Sequence, residues 1–143
     1  MAAQSALPEE PREQSSFDII KGKVFACLDP KDENNFHMFY FAGQEGWEVE
    51  FLIGDNILFV PVELGHLSET QMLLEQRDES GPYQWTHSTN IGRLSLSFST
   101  QVYEKVGDEA PKLIRSFEGQ CSILERSFET KEELEAILTK KAF

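Results

Sequence analysis

The sequence predicts a single all-β domain, a closed or nearly closed antiparallel barrel with little helix. Three observations carry that expectation. Short runs in which apolar and polar residues alternate recur along the chain. Glycines fall between those runs, about one per turn, at 43, 46, 54, 65, 92, 107 and 119. Helical spacing shows in one stretch only, near the C-terminus. A chain of 143 residues has room for one core and little more. Its 40% hydrophobic residues and 11 Phe are too many for a disordered polymer.

Residues 1–16 hold prolines, acidic residues and a single Leu, which predicts a disordered N-terminal tail; residues 17–143 form the barrel domain. Phe17-Asp-Ile-Ile-Lys-Gly-Lys-Val-Phe-Ala-Cys-Leu28 reads as a first strand, bent at Gly22 and stopped by Asp29-Pro30. Residues 31–35 are a polar loop. A second strand over 36–41 is apolar on nearly both faces. After Gly43-Gln-Glu-Gly46, Trp47, Val49 and Phe51 alternate with Glu48 and Glu50, the pattern of a half-buried strand with its acids outward. Gly54-Asp-Asn56 makes a hairpin to a strand over 57–64. Pro61 within it cannot donate to a ladder and so belongs at an edge, a bulge or a strand end.

Residues 65–76 fit neither period well, with a strand favoured at 71–75. Residues 77–90 are the longest loop-like stretch. From Arg93 to Tyr103, Leu94, Leu96, Phe98 and Val102 are expected to face inward, with Ser95, Ser97 and Ser99 outward. A turn at 107–111 precedes strands at 112–117 and 121–128. Thr130 followed by Glu133 has capping-box spacing, and Leu134, Ile137 and Leu138 share one helical face, so a short amphipathic helix is expected over 130–138.

With 13 Lys+Arg against 25 Asp+Glu, the net charge is −12. Such a field repels phosphate backbones, and no basic patch offsets it, so direct nucleic-acid binding is not expected. No run approaches the length of a membrane span and the N-terminus lacks the pattern of a signal peptide, so a soluble, intracellular protein is expected. Cys27 and Cys121 fit no metal or redox spacing and read as buried thiols in a reducing compartment.

No catalytic constellation emerges. His37, His66 and His87 are too far apart in sequence for a metal motif, and no nucleophile motif, Ca²⁺ loop or Gly-rich phosphate loop is present. The acids at Asp29, Asp32 and Glu33, or Asp108 and Glu109, sit beside turns, where Asp is favoured locally. Phe36, Phe39, Tyr40 and Phe41 would suit a stacking platform, but Asp32, Glu33, Glu45 and Glu48 surround them, and core packing accounts for them better. No enzyme activity and no cofactor are expected.

The stretch Glu48-Val-Glu-Phe-Leu-Ile-Gly-Asp-Asn-Ile-Leu-Phe-Val-Pro-Val-Glu-Leu-Gly65 resembles, without a gap, the central hairpin of the eighth common subunit of the eukaryotic nuclear RNA polymerases. Phe17-Asp-Ile-Ile20, Asp29-Pro30, Gln101-Val-Tyr103 with Gly107-Asp-Glu109, and the Lys140-Lys-Ala-Phe143 ending are similar to pieces of that family in the same order. The chain departs from it at Gly119-Gln-Cys-Ser-Ile-Leu124, in its shorter linker over 77–90, and in its expected C-terminal helix, where the family ends on a strand. The resemblance implies a Greek-key barrel of oligonucleotide-binding-like design. It implies a non-catalytic structural subunit, imported into the nucleus with its partners and bound to the largest polymerase subunit and its neighbours at the enzyme periphery. Val60, Pro61, Val62 and Leu64 are the contact candidates. The alternative is a small intracellular carrier holding an apolar ligand in its barrel, against which the inward positions look uniformly apolar.

Overall fold

A computed structural model describes residues 19–54 and 56–140. Eight strands follow one another: β1 (Val24–Asp29), β2 (Asp32–Ala42), β3 (Glu45–Phe51), β4 (Ile57–Leu67), β5 (Gln71–Ser80), β6 (Tyr83–Gly92), β7 (Ser97–Val106) and β8 (Lys112–Ile123). Helix α1 (Lys131–Lys140) closes the described chain. Each strand pairs antiparallel with the next and β8 returns to β1, closing the barrel.

The expected all-β antiparallel barrel is therefore the fold, with the short helix α1 packed outside it. Its connectivity is up-and-down instead of Greek-key, because every strand neighbours its sequence neighbour and no connection crosses the barrel. Short turns produce this order, since a turn of a few residues joins only adjacent antiparallel strands. The tail over 1–16 and residues 141–143 of the ending lie outside the described residues.

Several elements differ from expectation. The polar residues 32–35 belong to β2, and residues 77–90 form most of a long hairpin, β5 and β6, turning at Gly81-Pro82. Gly81 has φ +59, a conformation glycine adopts without strain. Residues 112–123 form one strand where two were expected, and 125–128 lie outside it. Leu94 belongs to the β6–β7 turn and is 81% exposed.

The strands make two apolar layers. Inside the barrel pack Phe25, Phe39, Phe41, Met72, Leu74, Ile91 and Phe98. Outside it, α1 covers Val24, Met38, Tyr40 and Val49 with Phe128 and Leu134. The helix forms where its cap predicts: Glu133 N–H donates to Thr130 Oγ1 at 3.1 Å, and Glu133 Oε1 accepts from Glu129 N–H at 2.8 Å. Leu134, the first residue of its apolar stripe, is fully buried.

This outer layer reverses one expectation. In β3 the alternation is as read, but Trp47 and Val49 pack under the helix while Glu48 points into the barrel. A face that is covered by a helix is as apolar as a core face, so period alone cannot tell which side is inside.

Tyr40 lies in the same layer, stacked on Trp47 at 5.9 Å, with its hydroxyl donating to Phe128 O at 2.8 Å. Burial raises its pKa above the ordinary value of 10.0, with Glu133, Glu132 and Glu129 adding to the shift. A phenol whose folded pKa is raised stabilises the fold fully below the unfolded value and loses that contribution as pH rises through the folded one. Tyr40→Phe is expected to be about 1 kcal/mol less stable at neutral pH and to show a shallower fall in urea midpoint above pH ~10. Parallel alkaline limbs for the two proteins would contradict this assignment.

The barrel closes along a short seam. Residues 25–28 of β1 pair with 120–123 of β8, and Cys27 faces Cys121 directly. The two expected thiols are joined in a disulfide, because a register never visible in sequence places residues 94 apart side by side. Beside it, Gly119 lets Leu28 cross against β8: a Cβ there would stand 2.2 Å from Leu28 O.

Candidate functional site

Two pairings stop short, and together they split one end of the barrel. β4 pairs with β3 over 57–62 and with β5 only over 63–67, so residues 76–80 of β5 have no strand partner on the β4 side among the described residues. β1 ends at Asp29, so residues 112–119 of β8 lack one on the β1 side. Strands β5–β8 continue past the closed part as one wall; the ends of β2, β3 and β4 make the other. Between them runs a trough open at both sides.

The floor of the trough is where the walls still touch. His37 stacks on Phe117 at 5.2 Å, nearly parallel, and lies 6.1 Å from Phe39. His37 Nδ1 donates to Glu48 Oε2 at 2.6 Å, and Gln76 Nε2 donates to Glu48 Oε1 at 2.5 Å. Both oxygens of Glu48 are thus used, one from each wall. The carboxylate fixes the imidazole by its Nδ1–H, leaving Nε2 buried with no hydrogen-bond partner among the described residues. Just below, Thr89 and Thr100 share a buried hydrogen bond of 2.9 Å.

Above the floor the β5–β8 wall is aromatic and charged. Trp85 Nε1 donates to Glu104 Oε2 at 2.9 Å, and Tyr83 stacks on Trp85 at 5.9 Å and 7°. The Arg115 guanidinium lies 5.0 Å over Phe117. Opposite, Leu58 faces the trough and is 48% exposed, while Phe36 and Phe51 meet at 6.3 Å on the outer face of the same end, and the β3–β4 tip carries Ile53, 97% exposed. Leu113 and Ile114 are exposed at the same end of the barrel, Leu113 on the outer face opposite Tyr103.

Sequence reasoning missed nearly all of this. Residues 77–90, read as a loop, supply Trp85 and half of the wall. The signal was present: Tyr83, Trp85, His87, Thr89 and Ile91 share one parity after Gly81-Pro82. What hid it is polarity on both faces: Arg77, Asp78 and Glu79 end β5, and Gln84, Thr86, His87 and Ser88 fill β6. His37 is a strand histidine, as expected, and it is the one of the three in the floor network; His87 stands between Gln76 and Val102 on the same inner face, and His66 lies apart in β4.

The four contact candidates fall on both sides of β4. Val62 is 8% exposed and Leu64 packs against the core, so neither offers a broad surface. Val60 pairs with Glu48 on the inner side, and Pro61 is exposed opposite Trp47. Pro61 lies where β4 has left no strand partner towards β5, a local edge that tolerates the missing N–H. A groove of about 550 Å³ runs from Gln44–Trp47 to Pro61–Gly65. A second concavity of about 940 Å³, rich in Ser95, Ser97, Ser99 and Ser116, lies across β6–β8. No group of three or more His, Cys, Asp and Glu among the described residues is placed to hold a metal ion. No family model, curated protein or solved structure matches the chain.

Proposed function

We propose that the chain is a non-catalytic binding protein that takes an apolar-bodied ligand into the split end of its barrel. The observation that carries this reading is the trough itself. Its inner side has half-buried aromatic rings, the exposed Leu58 and a few fixed polar groups, the composition of a ligand site. An eight-stranded barrel has an interior just wide enough for packed side chains or one small ligand. Here the lower half is filled and the upper half opens. The argument against a carrier, that inward positions are uniformly apolar, does not hold: His37, Glu48 and Gln76 face inward and are able to orient a ligand. Native mass spectrometry of protein purified from its own cells is expected to show the chain with a bound small molecule that is released on denaturation. A bare chain under the gentlest conditions would count against the reading.

One observation favours the polymerase-subunit reading: the hairpin over 48–65 that resembles that family borders the groove beside Pro61. Three features weigh against it. The connectivity is up-and-down, the chain's last described element is a helix, and a disulfide suits an oxidising compartment better than the nucleus. Affinity purification would support it by recovering the largest polymerase subunit, and its absence would remove it.

A further inference from the structure

We propose that the split end selects an organic cation, a substituted ammonium group carried on an apolar body. The inference rests on the binding reading above and names the chemistry of its ligand. It starts from one row of side chains across three strands. Asp78 of β5 faces Trp85 of β6, and Trp85 faces Glu104 of β7. Directly opposed residues share a face of a sheet. Each member stands four residues from Leu74, Thr89 or Thr100, all buried inside the barrel. The row therefore looks into the trough, with an indole between two carboxylates.

The ring is held in place. Glu104 accepts its N–H at 2.9 Å, and Tyr83 lies parallel to it one row nearer the rim. Two electron-rich rings beside two carboxylates attract a cation both through the ring quadrupole and through the carboxylate charge. An ammonium whose charge is spread over alkyl substituents suits such a half-dry site, because it loses little hydration there. Glu50, exposed on the facing wall, adds the same sign. The net charge of −12 enriches cations near the molecule and depletes anions.

The positive groups nearby do not reverse this. Arg115 packs over Phe117 one row deeper, opposite Val102. Lys112 stands opposite Glu104 in register and is exposed at the rim, where it competes with a ligand cation. An apolar body attached to the ammonium would lie over Val102 and Phe117 towards Leu58.

Titration calorimetry on the full chain at low salt, with three probes sharing a hexyl tail, tests the cation preference separately from binding itself. Hexyltrimethylammonium is expected to bind about tenfold tighter than hexanol, with hexanesulfonate weakest. Asp78→Asn with Glu104→Gln should abolish the preference while hexanol binding persists. Lys112→Gln, at an exposed position that leaves the fold intact, should strengthen the cation about threefold by removing its competitor. Equal affinity for the three heads, or no response to Lys112→Gln, would overturn the cation inference and leave the binding reading standing. Failure of all three probes to bind would overturn both.

Discussion

Gly119→Ala is expected to destabilise the protein by about 3 kcal/mol, among the largest effects of any single methyl group in the chain. A Cβ at this position would stand 2.2 Å from Leu28 O and 2.8 Å from Asp29 Cα. Both are backbone atoms, so no side chain can turn aside. The clash falls on the seam, where only residues 25–28 of β1 hold β8, so relief means separating the two strands that close the barrel. Gly65→Ala is the matched comparison. Its nearest atoms are side-chain atoms at 3.5 Å or more, and it should change the urea midpoint by much less. Similar midpoints for the two variants would show that β1 and β8 do not approach as described.

Removing the disulfide is expected to cost about 4.6 kcal/mol, estimated from the loop entropy it withholds from the unfolded chain. Cys27 and Cys121 are 94 residues apart, so the bond closes nearly the whole barrel into one loop. The short seam makes that covalent link important: β5 pairs with β6 over ten residues, whereas β1 pairs with β8 over four. Cys27→Ala with Cys121→Ala, compared with wild type in urea without reductant, measures the difference. Adding dithiothreitol should lower the wild-type midpoint towards that of the variant and leave the variant unmoved. Wild type that is indifferent to reductant, with two titratable thiols, would return the cysteines to the free state read from sequence.

The seam and the split end show what a sequence conveys and what it does not. Alternation, turn glycines and the Thr130 cap are local signals, and the strands, most turns and α1 follow from them. Facing is a tertiary property. Glu48 and Trp47 alternate correctly in β3, yet the acid points in and the indole out, because α1 covers the outer face from more than 80 residues away in sequence. The same helix explains why β2 is apolar on both sides: Met38 and Tyr40 face it, while Phe39 and Phe41 face the barrel. Pairing is tertiary as well. Cys27 meets Cys121, and His37 meets Glu48, through registers that no short motif encodes. The site escaped the sequence reading because it is assembled where strands stop pairing, and nothing in the local residue pattern marks such a place.

One measurement addresses the claim that the split end is the working surface. The full chain, labelled with ¹⁵N, is titrated with phenylnaphthylamine, an uncharged apolar probe, and followed by two-dimensional NMR. The two tryptophans report on opposite sides of the sheet: Trp85 lines the trough, and Trp47 lies under α1 on the outside. The Trp85 indole signal and the amides of Gln76, Val102 and Phe117 should move together and saturate, with the Trp47 indole unmoved. Shifts centred on Trp47 and the groove beside Pro61, or none at all, would contradict the account.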